Sequence, residues 1–200
     1  MDIEQIDLDM LREVANVGAG NAATALSIMA GQQVDISVPN CEVISYKEIP
    51  ERLGGAETVV LGMLVKMQGD LEGYMLFTQT LEQARLAMHE LAGVDVAATD
   101  TSVESFEPMR EVANILLGTY LSSVAEMAHL SIVPSVPEIT IDMSLAIMNI
   151  PVLVYGETSN DILLLDAQFG GTMRSISGVF FMVPTPESLR KLRGALLGSV

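Results

Sequence analysis

Two long stretches of the chain place apolar residues at helical spacing. From about Asp7 to Ala30, the residues Leu8, Leu11, Ala15, Ala22, Leu26 and Met29 gather on one side of a helix. On the other side Asp9, Glu13, Asn16 and Gly20 fall within about 60° of one another, their spacings being 4, 3 and 4. From about Ser105 to Ala128 the arrangement returns, with Met109, Leu116, Tyr120, Val124 and Met127 behind a stripe of Glu107, Glu111, Asn114 and Gly118. Elsewhere β-branched and apolar residues concentrate between turn signals. They predict strands at Val34–Val38, Cys41–Tyr46, Thr58–Met67 and Gly73–Gln79, then at Glu138–Met143, Val152–Glu157, Asp161–Phe169 and Ser175–Val183. Short helices close each set at Leu81–Leu91 and Pro186–Leu197, the second with Thr185 as its N-cap and Pro186 as its first residue. The unpatterned stretch "GVDVAATDTSVES" from Gly93 reads as the linker.

The two sets are copies of one plan. "REVAN" begins at Arg12 and again at Arg110, and in each copy a proline, Pro39 or Pro137, follows the Asn by twenty-three positions. Further on, "EGYMLFTQTLEQARLAMHELAG" aligns with "SGVFFMVPTPESLRKLRGALLG", matching Gly73 with Gly178, Glu82 with Glu187 and Gly93 with Gly198. The offset there is 105 instead of 98, which a seven-residue insertion in the second half explains. The expected fold is an α/β (α+β) sandwich, internally duplicated about a pseudo-twofold axis, with long helices packed on a mainly antiparallel sheet. The linker is short and carries no Pro-rich or strongly charged run. One fused domain over residues 1–200, made of repeats at about 1–98 and 99–200 with sheets shared between them, fits better than two beads.

Composition narrows the function. Half of the 200 residues are hydrophobic and 18 % are charged, with a mean hydropathy of +0.41, which is ample for a core. No apolar run reaches the ~18 residues needed to cross a bilayer, and the acidic start "MDIEQIDLDM" has the wrong charge for a targeting segment. The expectation is a cytoplasmic protein. A net charge of −16 repels phosphate backbones and anionic lipid, so nucleic acid and membrane are excluded as partners. The single cysteine, Cys41, reads as a small core residue, and His89 and His129 lie far from any ligand-spaced His or Cys.

A solvated helix face would explain one outward Glu and Asn. Two copies are harder to explain that way, because Asn in a helix interior costs roughly 0.5 kcal/mol against Ala and a merely solvated position favours Lys, Gln or Glu. One turn beyond each Asn stands a glycine, Gly20 or Gly118, at a cost of about 1 kcal/mol each. Either another helix packs closely there, or something external approaches. The stripe has no nucleophile and no histidine base, and Asp9 with Glu13 makes a weak cation site without further oxygen ligands. An amide can, however, fix the direction of an attacking water. That is enough for in-line hydrolysis of an activated phosphoryl group when the partner brings the electrophile and its metal.

These residues resemble the CheC family of chemotaxis phosphatases, the group that also holds CheX and FliY. The family pattern is an acidic or Ser residue, Glu four later, Asn three after that, and Pro about twenty-three further on. Asp9, Glu13, Asn16 and Pro39 match it, as do Glu111, Asn114 and Pro137; "NVGAGNAATALS" resembles the family's first helix, and the duplication covers essentially the whole chain. The second copy departs at Glu107, where Asp or Ser is usual, and at Leu116, which stands where the first copy has Gly18. The doubled motif and the length place the chain among two-site members. The resemblance implies hydrolysis of the aspartyl phosphate of the response regulator CheY, with Asn16 and Asn114 orienting water and Glu13 and Glu111 pairing with the regulator's lysine. It implies no cofactor of the chain's own, the Mg²⁺ belonging to the regulator. It also implies a second partner, the receptor deamidase CheD, and a monomer. The competing reading is a non-enzymatic adaptor that docks receiver domains through the same helices, and a weaker one is a metal-dependent hydrolase using Asp9 and Glu13.

Overall fold

The computed structural model describes residues 5–147, 149, 161–172 and 174–197. Helix α1 (Gln5–Ala30) leads to the short strands β1 (Val34–Ser37) and β2 (Cys41–Ser45) and a one-turn helix α2 (Ile49–Arg52). The hairpin β3 (Val59–Gly69) and β4 (Gly73–Thr80) and helix α3 (Leu81–Ala92) complete the first half. The second half runs α4 (Met109–Ala128), β5 (Ile132–Pro134), β6 (Glu138–Met143), the hairpin β7 (Asp161–Gly171) and β8 (Ile176–Pro184), and α5 (Pro186–Leu197). The strand expected at Val152–Glu157 lies outside the described residues, as does Gly198 of the repeat alignment.

Among the described residues eight strands form one antiparallel sheet in the order β1-β7-β8-β4-β3-β5, with β2 also on β7 and β6 also on β3. Each half's hairpin is therefore flanked by the other half's short strands. The two hairpins meet at β4 and β8, where Leu76 faces Phe181. These residues are related by the offset of 105 read from the sequence. Neither half completes its sheet without the other.

Both faces of the sheet are covered, which is why β3 reads as a nearly continuous apolar run. The larger core lies under the helices and joins Leu11, Ala15 and Leu26 of α1 and Leu116, Tyr120 and Val124 of α4 to Met63, Met75, Phe77, Phe169 and Phe180 of the strands. A smaller cluster on the opposite face gathers Leu76, Phe181, Ile162 and Leu164 with Ile49 of α2. Most of the expected helix stripe is buried, but Met29 at the end of α1 is exposed. Among the described residues no helix is long and apolar enough to cross a membrane.

Helix α4 begins at Met109 and not at Ser105. The break falls at Pro108, which has no N–H to give to a helical turn, although Glu107 before it keeps helical φ and ψ. Val103–Phe106 instead form a separate 3-10 turn, anchored by Asp100, whose carboxylate accepts hydrogen bonds from the hydroxyls of Ser102 (2.6 Å) and Ser105 (2.5 Å). The N-cap expected at Thr185 is present: its hydroxyl accepts from the backbone N–H of Ser188 at 3.2 Å.

Candidate functional site

Helices α1 and α4 pack against each other on one face of the sheet, and Gly18 is what lets them touch. A Cβ placed on Gly18 would lie 2.9 Å from the Cα of Tyr120, closer than real Cβ contacts allow. The counterpart of Gly18 is Leu116, which fills the core on its own side of the crossing. Gly20 and Gly118 are different: a Cβ on either would meet nothing within 4 Å. Helix packing does not explain them, and the space beside both is open on the outer surface.

Glu13 and Glu111 are exposed, and neither forms an ion pair with any described residue. The two Asn residues are not equivalent. Asn16 is half-buried, and its Oδ1 accepts from the Val38 N–H at 2.9 Å. Its Nδ2 donates to the carbonyls of Arg12 at 3.0 Å and Val38 at 3.3 Å. The amide thereby ties α1 to the backbone just before Pro39. Asn114 is exposed and its side chain bonds to none of the described residues. The expectation of two outward, free amides is met at Asn114, while at Asn16 the amide faces its own loop.

The arginines of the repeated motif divide in the same way. Arg12 pairs with Asp9 on its own helix at 3.2 Å. Arg110 makes a fork on Glu107, Nε at 2.7 Å and Nη2 at 3.2 Å, and also donates through Nη1 to the carbonyl of Pro137. The hydrogen bond from Arg110 holds the Glu107 carboxyl below the usual carboxylate range, and the same bond raises the guanidinium. Both side chains are well exposed, so solvent screens the pair. Pro108 places Glu107 off the helix, at the N-terminal end where a carboxylate is favoured by the helix dipole. Sequence reasoning passed over these arginines although the letter R is part of the repeated string, which was the available signal.

Cys41 is buried in the core beside α1, where burial pushes its thiol up to about 12 and leaves it no nucleophilic role. Among the described residues no three His, Cys, Asp or Glu side chains come together as metal ligands.

A curled antiparallel sheet carrying two helices packed against each other defines the class, and comparison with known proteins agrees. A solved structure of Thermotoga maritima FliY superposes with a TM-score of 0.80 at 18 % identity, covering 100 % of both chains. A chain of a solved CheX-CheY-BeF3-Mg+2 complex from Borrelia burgdorferi gives a TM-score of 0.50 at 15 % identity, covering 83 % of this chain and 95 % of that one. The sequence profile of the CheC-like family matches residues 6–43, which hold Glu13, Asn16 and Pro39. A Bacillus subtilis relative described as "CheY-P phosphatase CheC" is 30 % identical over 203 aligned positions, 99 % of this chain and 97 % of its own length. The chain belongs to the CheC-like family.

Proposed function

We propose that this chain hydrolyses the aspartyl phosphate of a CheY-type response regulator. The observation that carries the reading is the side-chain pair Glu111 and Asn114, one turn apart on an exposed helix face, the amide free of any described partner and with open space at Gly118 beside it. A relative matched along its whole length is described as a CheY-P phosphatase, and a structural neighbour was solved with CheY. Both support the same substrate.

In this reading the helix face docks over the regulator's phosphorylated aspartate. The glutamate of each pair, Glu111 or Glu13, pairs with a regulator lysine and sets the register. The amide of Asn114 or Asn16 accepts a hydrogen bond from a water and aims its oxygen at phosphorus. A bond forms from water oxygen to phosphorus as the phosphorus–aspartate bond breaks, giving the free carboxylate, inorganic phosphate and a proton. Positioning supplies most of the acceleration in such a reaction. The divalent cation is the regulator's. The net charge of −16 acts on orientation and encounter rate through complementarity with a basic docking surface. The receptor deamidase CheD is a second partner in this reading.

The test is turnover. Catalytic amounts of the chain should accelerate loss of phosphate from phosphorylated CheY. Changing Asn16 and Asn114 together to Ala should lower the rate about a hundredfold or more while leaving a complex with the regulator detectable. A rate unaffected by the double change, with binding intact, would make the chain an adaptor.

A further inference from the structure

We propose that turnover belongs to the second copy, and that Arg110 is the positioning residue responsible. The inference rests on the phosphatase reading above and adds which site works and why.

Each long helix is tied to the proline-containing segment that follows it, and the two copies make the tie with different residues. In the first copy the tie is Asn16, with both polar atoms of its amide on the Val38 backbone. Val38 is only 3 % exposed, so releasing the amide leaves a buried N–H without its partner. Two net hydrogen bonds of ordinary strength correspond to a free-amide population on the order of one in thirty. The first site therefore starts its reaction from a minor state.

In the second copy the tie is Arg110, whose guanidinium reaches the Pro137 carbonyl while its fork holds Glu107. Val136, the counterpart of Val38, is 75 % exposed, and its carbonyl accepts from the Ser135 hydroxyl at 3.1 Å instead of from the helix amide. Asn114 is left free to meet a water. Both arginines pair with the carboxylate three residues before them, Arg12 with Asp9 and Arg110 with Glu107, but the tie to the following proline segment comes from Asn16 in one copy and from Arg110 in the other. The structure thus assigns anchoring to Asn16 and water placement to Asn114.

Single substitutions in the full chain test this against phosphorylated CheY. Asn114→Ala should leave less than about a tenth of the wild-type rate and fall at least tenfold further than Asn16→Ala. Asn16→Ala should in addition lower the melting temperature by roughly 3–8 °C, since it removes the tie. Arg110→Ala should lower kcat about tenfold while KM for the regulator changes less than threefold; Arg110→Lys, which keeps a donor for the Pro137 carbonyl, should recover part of kcat. Half or more of the rate surviving in Asn114→Ala would overturn the proposal and leave the phosphatase reading standing. If the wild-type chain releases no phosphate, that reading fails, and side-chain amide hydrogen exchange decides the asymmetry alone. Protection at Asn16 with none at Asn114 supports it, and equal protection overturns it.

Discussion

Gly18 of the first helix lies directly on the backbone of Tyr120 in the second, with room for a hydrogen and none for a methyl group. This contact fixes how closely α1 and α4 approach and therefore how the two Glu and Asn stripes are spaced on the surface. Replacing Gly18 with Ala should push the helices apart and cost about 1–3 kcal/mol, a loss read from the urea midpoint. The same change at Gly118 should do the opposite. With nothing within 4 Å of the added methyl, helix propensity alone should stabilise the fold by roughly 0.5–1 kcal/mol. A regulator that closes over the gap should bind Gly118→Ala more weakly, which a titration would show.

Glu111 is expected to act in docking more than in chemistry. Glu111→Gln should raise KM for the regulator by a larger factor than it lowers kcat, and should flatten the dependence of KM on salt, because the lost interaction is between exposed charges. Equal factors on both constants would place the carboxylate in the transition state instead.

The thiol of Cys41 should be silent. Burial pushes it up to about 12, so at pH 8 the thiolate fraction is on the order of one in ten thousand. Alkylation by iodoacetamide should be negligible in the native chain and rapid after unfolding in urea. Fast labelling of folded protein would contradict the packing described for the core.

Asp100 makes the linker sensitive to acid. Hydrogen bonds from Ser102 and Ser105 hold its carboxyl down at about 2. A depressed carboxylate contributes stability above its unfolded value, near 4, and loses it as pH falls toward the folded value. Ser105→Ala should therefore lower the urea midpoint at pH 6, and the gap from wild type should close between about pH 4 and pH 2. A gap that stays constant over that range would mean the serine acts through packing.

Much of this architecture was readable in the chain. The stripe of Leu11, Ala15 and Leu26 opposite Glu13 is a periodic signal carried by neighbouring residues, and it survives into the structure because a helix buries whatever face is apolar. Glu138–Met143 and Pro186–Leu197 fall where alternation and capping place them. Pro108 was legible too, since its missing N–H forbids the extra turn of α4 that the apolar pattern suggested. Met29 was not: its spacing matches the buried stripe, but the side chain is 36 % exposed.

By itself the sequence determined the elements, their repetition and the face on which Glu13, Asn16, Glu111 and Asn114 stand, because those depend on hydrogen bonds and side chains a few residues apart. Only the tertiary structure decided that each hairpin takes its flanking strands from the other half, and that Asn16 is bound to Val38 while Asn114 is free. Identical five-residue strings cannot encode that difference. It arises where chain segments more than twenty residues apart return to the helix, and there the path of the backbone selects which side chain, an amide or a guanidinium, meets the waiting carbonyl.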